Sequence, residues 1–242
     1  MSLGAADVTV ALYLDHPSPR TALAKVTATA PGAFVLDKSI FHPGTVAQGH
    51  PQPADRGYVW LGGDKRWLKA VDWRRDQLLH RLEGATPRVG AEVRCHLDVE
   101  RREETEAAHT ALHLVLSRLA RPGDVPEGRV LGGRRFRIDV ARHRFSAQGV
   151  ADALAIVQSQ IDTNLQITVE HVLASRAQTD AGSLVAAGDQ DRPVRIVRIG
   201  TVSAWPCEGT FRPRTLGLGR VVLEAARPRG GMMELRFQVR AP

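Results

Sequence analysis

Cysteine is scarce in this chain of 242 residues, in which Cys95 and Cys207 are the only two thiols. A disulfide framework therefore does not hold the fold together, and each thiol is left with a chemical or a packing role. Cys95 lies in "GAEVRCHLDV", whose alternation predicts a strand in which the cysteine packs. Cys207 lies in "SAWPCEGTFRP", where proline and glycine predict a turn.

Long apolar runs are also missing. No run approaches the roughly 18 residues of a membrane span, and residues 1–6 lack the charged and apolar regions of a signal peptide. We therefore expect a cytoplasmic protein with no membrane partner. The hydrophobic content of 43% is enough to fill one large domain or two small ones.

Lysine is also scarce, since it occurs only at positions 25, 38, 65 and 69. Arginine therefore carries most of the positive charge behind a formal net charge of +7 and a sequence pI near 10.2. Such a charge favours a polyanionic partner such as nucleic acid, because each phosphate that is neutralised releases counterions. A solvated basic surface, or a base-composition bias in the source genome, would give the same arginine content.

Strand patterns dominate the N-terminal part of the sequence. Stretches such as "DVTVALYL", "ALAKVTATA" and "AFVLDKSIF" alternate or are apolar, and residues 62–64 predict a hairpin turn. The stretch "DQLLHRLEG" predicts a short helical turn. A long loop rich in glycine, proline and histidine, residues 42–57, lies among these strands, and loops of this length are often functional.

The C-terminal part alternates between helix and strand patterns. Strong helix formers, with acidic residues early and arginines late, predict a helix in "ERREETEAAHTALHLVLSRLAR". Ser146 is suited to cap a second helix that runs from about residue 147 to residue 163. Strands are predicted between and after these helices, and the last hairpin turns near Gly230 and Gly231.

The first of these helices carries the residues most suited to chemistry. His109 and His113 are four residues apart and therefore lie on one face, where two imidazoles can bind one metal or form an ordinary packed or solvated pair. Zinc takes three or four nitrogen or sulfur ligands, and Cys207 is a natural third. A metalloprotease-type use of the pair is excluded, because Thr110 follows the first histidine where the catalytic glutamate would stand.

Four segments, in order, give the sequence a specific resemblance: "LDKSIF…QPADRGYV", "DVERREETEAAHTALHLVL", "RFRIDV" and "VSAWPCEGTFRPRTLGLGRVVL". Together they resemble the editing domain of alanyl-tRNA synthetase and its free-standing relatives, the AlaX-type trans-editing proteins. The resemblance implies a zinc-dependent enzyme that hydrolyses the ester of mischarged aminoacyl-tRNA in trans. The implied substrate is Ser-tRNA or Gly-tRNA for alanine, and the implied partner is tRNA.

The resemblance also implies roles for individual residues. It assigns His109, His113 and Cys207 as metal ligands. It places Thr110 and Thr210 beside these ligands, where their hydroxyl groups can position water or discriminate the amino-acid side chain. Gln52, in the matching glycine-rich segment, is expected to contact the substrate from the N-terminal part.

Three departures from the family pattern leave alternatives open. Phe211 stands in the place of the fourth ligand, a histidine; Glu208 replaces a glycine; and the glycine-rich segment is a few residues longer. An open three-ligand site is typical of catalytic zinc, whereas a weakened site would leave a non-catalytic tRNA-binding relative. A hydrolase of another aminoacyl ester is a further alternative, and either His42 or His50 of the longer segment can in principle complete the metal site.

In keeping with the resemblance, we predict an α/β fold of the α+β kind. Residues 1–95 should form a mainly β, barrel-like subdomain that presents the glycine-rich-type loop. Residues 96–242 should form a zinc-type editing domain, with the helix of His109 and His113 on a sheet. The substrate is expected in the cleft between the two parts.

Overall fold

The computed structural model describes residues 8–44, 49–74, 77–120, 127–176, 191 and 193–242. The chain forms two compact units, Met1–Thr45 with Pro53–Glu103, and Val46–Gln52 with Glu104–Pro242. The predicted α+β class is confirmed. Among the helices of the described residues, none is long and apolar enough to cross a membrane.

The first unit is built around a closed barrel of six strands. Its strands are β1 (Val10–Ala11), β2 (Thr21–Ala30), β3 (Ala33–Leu36), β4 (Lys38–Ser39), β5 (Gly57–Leu61), β6 (Asp64–Arg74), β7 (Gln77–Leu82) and β8 (Glu92–Leu97), and a 3-10 turn spans Leu12–Leu14. The barrel order is β2-β3-β7-β6-β5-β8, and β1 pairs with β4 outside it. Gly62 and Gly63 both have positive φ, which is the backbone that a two-residue hairpin between β5 and β6 needs.

Alternation places one side of each barrel strand in the core. Val93, Cys95 and Leu97 of β8 point inward together with Val59 of β5. The prediction that Cys95 packs is confirmed, and burial raises the pKa of its thiol to about 12, so the thiol stays protonated at neutral pH.

The predicted helical turn in "DQLLHRLEG" is wrong, because its residues Gln77–Leu82 form strand β7. Leu78, Leu79 and His80 are consecutive and all buried. The sequence here therefore lacks the alternation of apolar and polar residues that is typical of a strand. Pairing with β6 and β3 closes the barrel at this strand, and these partners decide its conformation.

A buried ion pair ties the start of the long helix to the first unit. That helix, α1, spans Val99–Leu119. Arg102 donates to both carboxylate oxygens of Asp55, to Ser18 Oγ at 2.6 Å and to the carbonyl oxygen of Ile40 at 2.8 Å. Because its guanidinium is completely buried, these bonds replace the water that it loses on folding.

The second unit consists of helices and antiparallel strands. It contains most of α1, then β9 (Glu127–Gly132), β10 (Arg135–Ala141), α2 (Ala147–Asp162), β11 (Ile167–Leu173), β12 (Pro193–Ile199), β13 (Ser203–Pro206), β14 (Arg220–Arg229) and β15 (Met232–Arg240), with a 3-10 turn at Arg142–Arg144. The strands form two sheets, β14-β15-β10-β9 and β11-β12-β13. Ser146 caps α2 by accepting a hydrogen bond from Gly149, as the sequence indicates.

The core of the second unit lies where α1 meets strands. Leu112, Val115 and Leu116 of α1 pack in one cluster with Phe136 of β10 and Phe237 of β15. Residues 46–52, which are predicted to belong to the N-terminal subdomain, group with this unit by their contacts. One of these contacts joins them to β9, where the amide of Val130 donates to the carbonyl oxygen of Pro51 at 2.9 Å.

Candidate metal centre

Helix α1 presents the two predicted histidines one turn apart. His109 and His113 are both completely buried, and their ring centroids are 5.1 Å apart. Small neighbours, Ala107, Ala108 and Ala111, allow the helix to be buried around this point. The four-residue spacing therefore places two imidazoles in the interior of the second unit.

Cys207 follows strand β13 and meets the histidine pair. Its sulfur lies 3.5 Å from Nε2 of His109. One ligand atom from each of His109, His113 and Cys207 lies within 4.8 Å of the other two, and all three residues are buried. The structure thus brings together the three residues that the sequence predicts as metal ligands.

The turn after β13 is shaped by Arg195, a residue that no sequence motif indicates. The Cys207 amide donates to the carbonyl oxygen of Arg195 on β12 at 3.0 Å. In return, the Arg195 guanidinium donates to the carbonyl oxygens of Cys207 and Gly209, at 2.5 and 3.1 Å. No spacing rule in the sequence relates Arg195 to this turn, because only the pairing of β12 with β13 brings them together.

The environment of the Cys207 sulfur suits a thiolate ligand. Burial raises the pKa of this thiol, while the backbone N–H groups of His50 and Gly209 and the charge of Arg195 act in the opposite direction. The Gly209 nitrogen is 3.5 Å from the sulfur. A metal cation would act in the same direction as these donors and favour the thiolate against the cost of its burial.

The ring nitrogens of His113 make no hydrogen bond to the described residues. Burial lowers its pKa well below the ordinary value, so the imidazole is neutral and keeps a lone pair for a metal. Since buried polar atoms are normally paired, a bound metal ion would account for these two buried nitrogens.

Gln52 orients the other imidazole. Its Oε1 accepts a hydrogen bond from the Thr210 amide at 2.9 Å, which identifies the oxygen of the side-chain amide. The same oxygen lies 2.9 Å from Nδ1 of His109, so Nδ1 carries the proton and Nε2 keeps the lone pair near the Cys207 sulfur. The contacts of Gln52 in the described residues include both a predicted ligand and a predicted threonine.

The two predicted threonines hold the turn against the helix. Thr210 is bonded to Gln52 through its hydroxyl as well, at 3.1 Å. The Thr110 hydroxyl accepts a hydrogen bond from the Arg212 amide at 3.2 Å. Both threonines are buried. Their hydroxyl groups therefore belong to the packed region that surrounds the three candidate ligands.

Phe211 occupies the position that the family pattern gives to a fourth ligand. Its ring is 2% exposed and lies 4.4 Å from the His109 ring and 4.8 Å from the His113 ring, between centroids. The side chain therefore points at the ligand set, as a histidine there would, but it offers no donor atom.

The structure separates the two histidines of the longer loop. The His50 ring lies 5.3 Å from the His113 ring, between centroids, and burial lowers its pKa to about 4. Within the described residues the group of converging ligand atoms nevertheless contains only the three predicted ligands. His42 belongs to the first unit, where its amide donates to Asp55 at 2.6 Å and its Nδ1 accepts from the Gly44 amide at 2.9 Å.

Two glycines fit closely around the ligands. A Cβ built on Gly49 would lie 2.5 Å from the Cys207 sulfur, and the φ of Gly49 is +87°, which side chains rarely adopt. A Cβ built on Gly209 would lie far inside van der Waals distance of the His109 ring. A set of two imidazoles and one thiolate, enclosed in this way, fits zinc by its chemistry.

Comparison with curated proteins relates the chain to one group. Alanine–tRNA ligase of Methanopyrus kandleri is 29% identical over 211 residues, which covers 84% of this chain and 22% of the ligase. The ligase of Pyrobaculum aerophilum is 28% identical over 226 residues, covering 88% and 25%, and that of Korarchaeum cryptofilum is 26% identical over 239 residues, covering 96% and 26%. The chain is homologous to part of alanine–tRNA ligase.

This homology confirms the resemblance identified from the sequence motifs. The chain spans about a quarter of the length of the alanine–tRNA ligases that it matches. No protein-family model matches it.

Proposed function

We propose that this protein hydrolyses the ester bond of a mischarged aminoacyl-tRNA at a zinc ion held by His109, His113 and Cys207. The observation that carries the proposal is the convergence of these three buried side chains in a chain homologous to alanine–tRNA ligase. The proposed substrate is tRNA for alanine that carries serine or glycine, following the resemblance of the motifs. When bound at three protein ligands, zinc acts as a Lewis acid that can activate water or orient the amino group of the substrate.

The residues of the chain prepare this site in distinct ways. Gln52 is a positioning residue, because it holds the proton of His109 on Nδ1 and leaves Nε2 for the metal. The His50 and Gly209 amides favour the deprotonated form of the Cys207 sulfur and so partly oppose the burial that raises its pKa. Phe211 packs an apolar ring against both histidines and offers no donor atom, so a zinc ion bound by the three side chains would have a coordination position for water or substrate.

Thr110 and Thr210 are the residues that we propose for contact with the substrate. Thr110 directly follows His109 and Thr210 comes three residues after Cys207 in the sequence, and both residues are buried. Their hydroxyl groups can bind the attacking water or the hydroxyl of a misacylated serine. Binding of the tRNA itself is proposed to depend on the arginines, through their contacts with phosphates.

The absence of a donor atom at Phe211 favours a second candidate function, which is tRNA binding without hydrolytic activity. Loss of one donor weakens metal binding, and a site without metal would have no Lewis acid. In that case the purified protein would lack zinc and would leave the ester intact, but it would still bind tRNA in a strongly salt-dependent way.

The deciding experiment follows release of labelled serine from tRNA for alanine that carries serine, with zinc content measured on the same samples. We expect about one zinc per chain and hydrolysis by the wild type, and loss of both in Cys207→Ser. Cys95→Ala is the matched control, because it removes the other buried thiol, which lies in the barrel core. Hydrolysis by Cys207→Ser at the wild-type rate would overturn the proposal, and a panel of other aminoacyl esters separates it from a hydrolase of different specificity.

A further inference from the structure

The outer face of the barrel carries a cluster of rings and cations that the metal centre does not use. Strand register places Tyr58 opposite both Trp67 and His96, and Trp60 opposite both Lys65 and Arg94. Residues that are directly opposite share a face of the sheet, so these six side chains lie together across β6, β5 and β8. We call them the aromatic platform. Val59 and Cys95, which alternate with them, are buried in the barrel core.

The platform concentrates aromatic residues that are otherwise rare. The chain has two tyrosines and four tryptophans, and three of these six residues are Tyr58, Trp60 and Trp67. Trp60 is 40% exposed and Trp67 is 55% exposed. Large aromatic side chains are normally buried, and a group of them at the surface marks an interaction site.

The rings are held in place by one another. The imidazole of His96 stacks on Tyr58 with 4.9 Å between centroids and 5° between planes. Trp67 meets Tyr58 edge-on at 5.3 Å, and Lys65 Nζ lies 3.9 Å from the Tyr58 ring centroid and 4.9 Å from that of Trp67. A partner would therefore meet rings that are already ordered, and little conformational entropy would be lost on binding.

The charge of the platform is positive. Lys65 and Arg94 belong to it, and none of its six residues is acidic. Burial, followed by the charges of Arg94 and Lys65, lowers the pKa of His96, which is consistent with a positive field at this face. Flat rings interspersed with cations are complementary to bases and phosphates, whereas a basic or purely apolar partner would leave one of the two components without a counterpart.

We propose that the aromatic platform binds unpaired nucleotides of RNA, with bases stacked on Trp60 and Trp67 and phosphates on Lys65 and Arg94. The inference extends the proposed function, since tRNA has unpaired nucleotides, but the binding that it describes requires neither zinc nor an ester. Nucleotides suit this surface because their bases can stack on the exposed rings and their phosphates can pair with the cations.

The test measures binding of a fluorescently labelled, unstructured oligoadenylate by anisotropy. Loss of one stacked base weakens binding about fivefold to more than a hundredfold, so we expect at least this effect in Trp67→Leu and a larger one in Trp60→Leu/Trp67→Leu. Trp67→Phe, which keeps a ring, should retain most of the affinity. Lys65→Gln should lower the salt dependence by the equivalent of about one phosphate contact.

Trp73→Leu is the matched control. Trp73 lies on the same strand β6 and is 37% exposed, but it lies outside the platform. Equal affinity of Trp67→Leu and Trp73→Leu would overturn the proposal, as would binding of an acidic peptide in preference to the oligoadenylate. Because the probe has no ester, failure of the hydrolysis assay would leave this result unaffected, and the two proposals can fail separately.

Discussion

Substitution of Gly209 by alanine tests whether the turn after β13 shapes the metal centre. The added Cβ would lie far inside van der Waals distance of Cε1 and Nδ1 of His109, and 2.9 Å from Oε1 of Gln52. Optimal separations of carbon atoms are about 3.5–4.0 Å, so the imidazole or the turn has to move by more than about 1 Å. The ring cannot move freely, because Phe211 lies 4.4 Å from it between centroids.

The expected loss of zinc affinity follows from how little metal–ligand distances vary. Ligand distances in zinc sites vary by only about 0.2 Å, so a displacement of more than about 1 Å removes His109 from the ligand set or breaks its hydrogen bond to Gln52. Disruption of an outer hydrogen bond alone costs about 10- to 100-fold in metal affinity. We therefore expect Gly209→Ala to bind zinc at least about 10-fold more weakly, and to lose about 1–3 kcal/mol of unfolding free energy through overpacking.

Competition with a chromophoric chelator measures the zinc affinity, and urea unfolding of the metal-free protein measures stability. Gly231→Ala is the matched control, since a Cβ there meets no atom within 4 Å and the residue does not have a left-handed φ. Equal zinc affinity of the two variants would refute the assignment of His109 as a ligand held by this turn.

Three further predictions concern single side chains. Phe211→His should raise zinc affinity by adding a fourth donor; an unchanged affinity in the chelator assay would contradict this. Arg102→Met should lower the unfolding free energy by about 3–5 kcal/mol, because the buried Asp55 carboxylate loses its partner, and a loss below about 1 kcal/mol in urea unfolding would show that the pair is dispensable. Burial lowers the pKa of His80 from 6.5 to about 4. The contribution of the neutral His80 imidazole to the free energy of unfolding is therefore complete above pH 6.5 and is lost as the pH falls toward 4. The free energy of unfolding should therefore fall between pH 7 and pH 4 by on the order of 3 kcal/mol less in His80→Gln than in the wild type. The same pH dependence of unfolding free energy in both proteins would disprove this prediction.

The sequence predicts those parts of the site that depend on local spacing. The pair His109 and His113 needs only a helix to share a face, and the helix was evident from its composition. Cys207 is a candidate third ligand because of its place on a turn and the motifs around it, and the structure places it beside the histidine pair. Local patterns suffice to single out these three residues, because a period of 3.6 residues and a short turn are properties of a few neighbouring residues.

Other parts of the site depend on pairing between distant segments. Arg195 shapes the turn only because β12 pairs with β13, and Gly49 is required only because the Cys207 sulfur packs on it. The sequence left His42 and His50 equivalent as candidates, and only the grouping of residues 46–52 with the second unit puts His50 beside His113. In the barrel, strand β7 was missed for the same reason, since its pairing partners determine its conformation.

The discontinuity of the second unit limits how the protein can be divided into pieces. A fragment cut at residue 96 keeps His109, His113 and Cys207, yet it lacks Val46–Gln52, which lie in the sequence between barrel strands β3 and β5. It would lose the Gln52 side chain that fixes the tautomer of His109 and one of the two amides that hold the sulfur. Isolation of the second unit therefore requires removal of the barrel and a splice from residue 52 to residue 104, because a single cut leaves the three candidate ligands without the segment that contacts them.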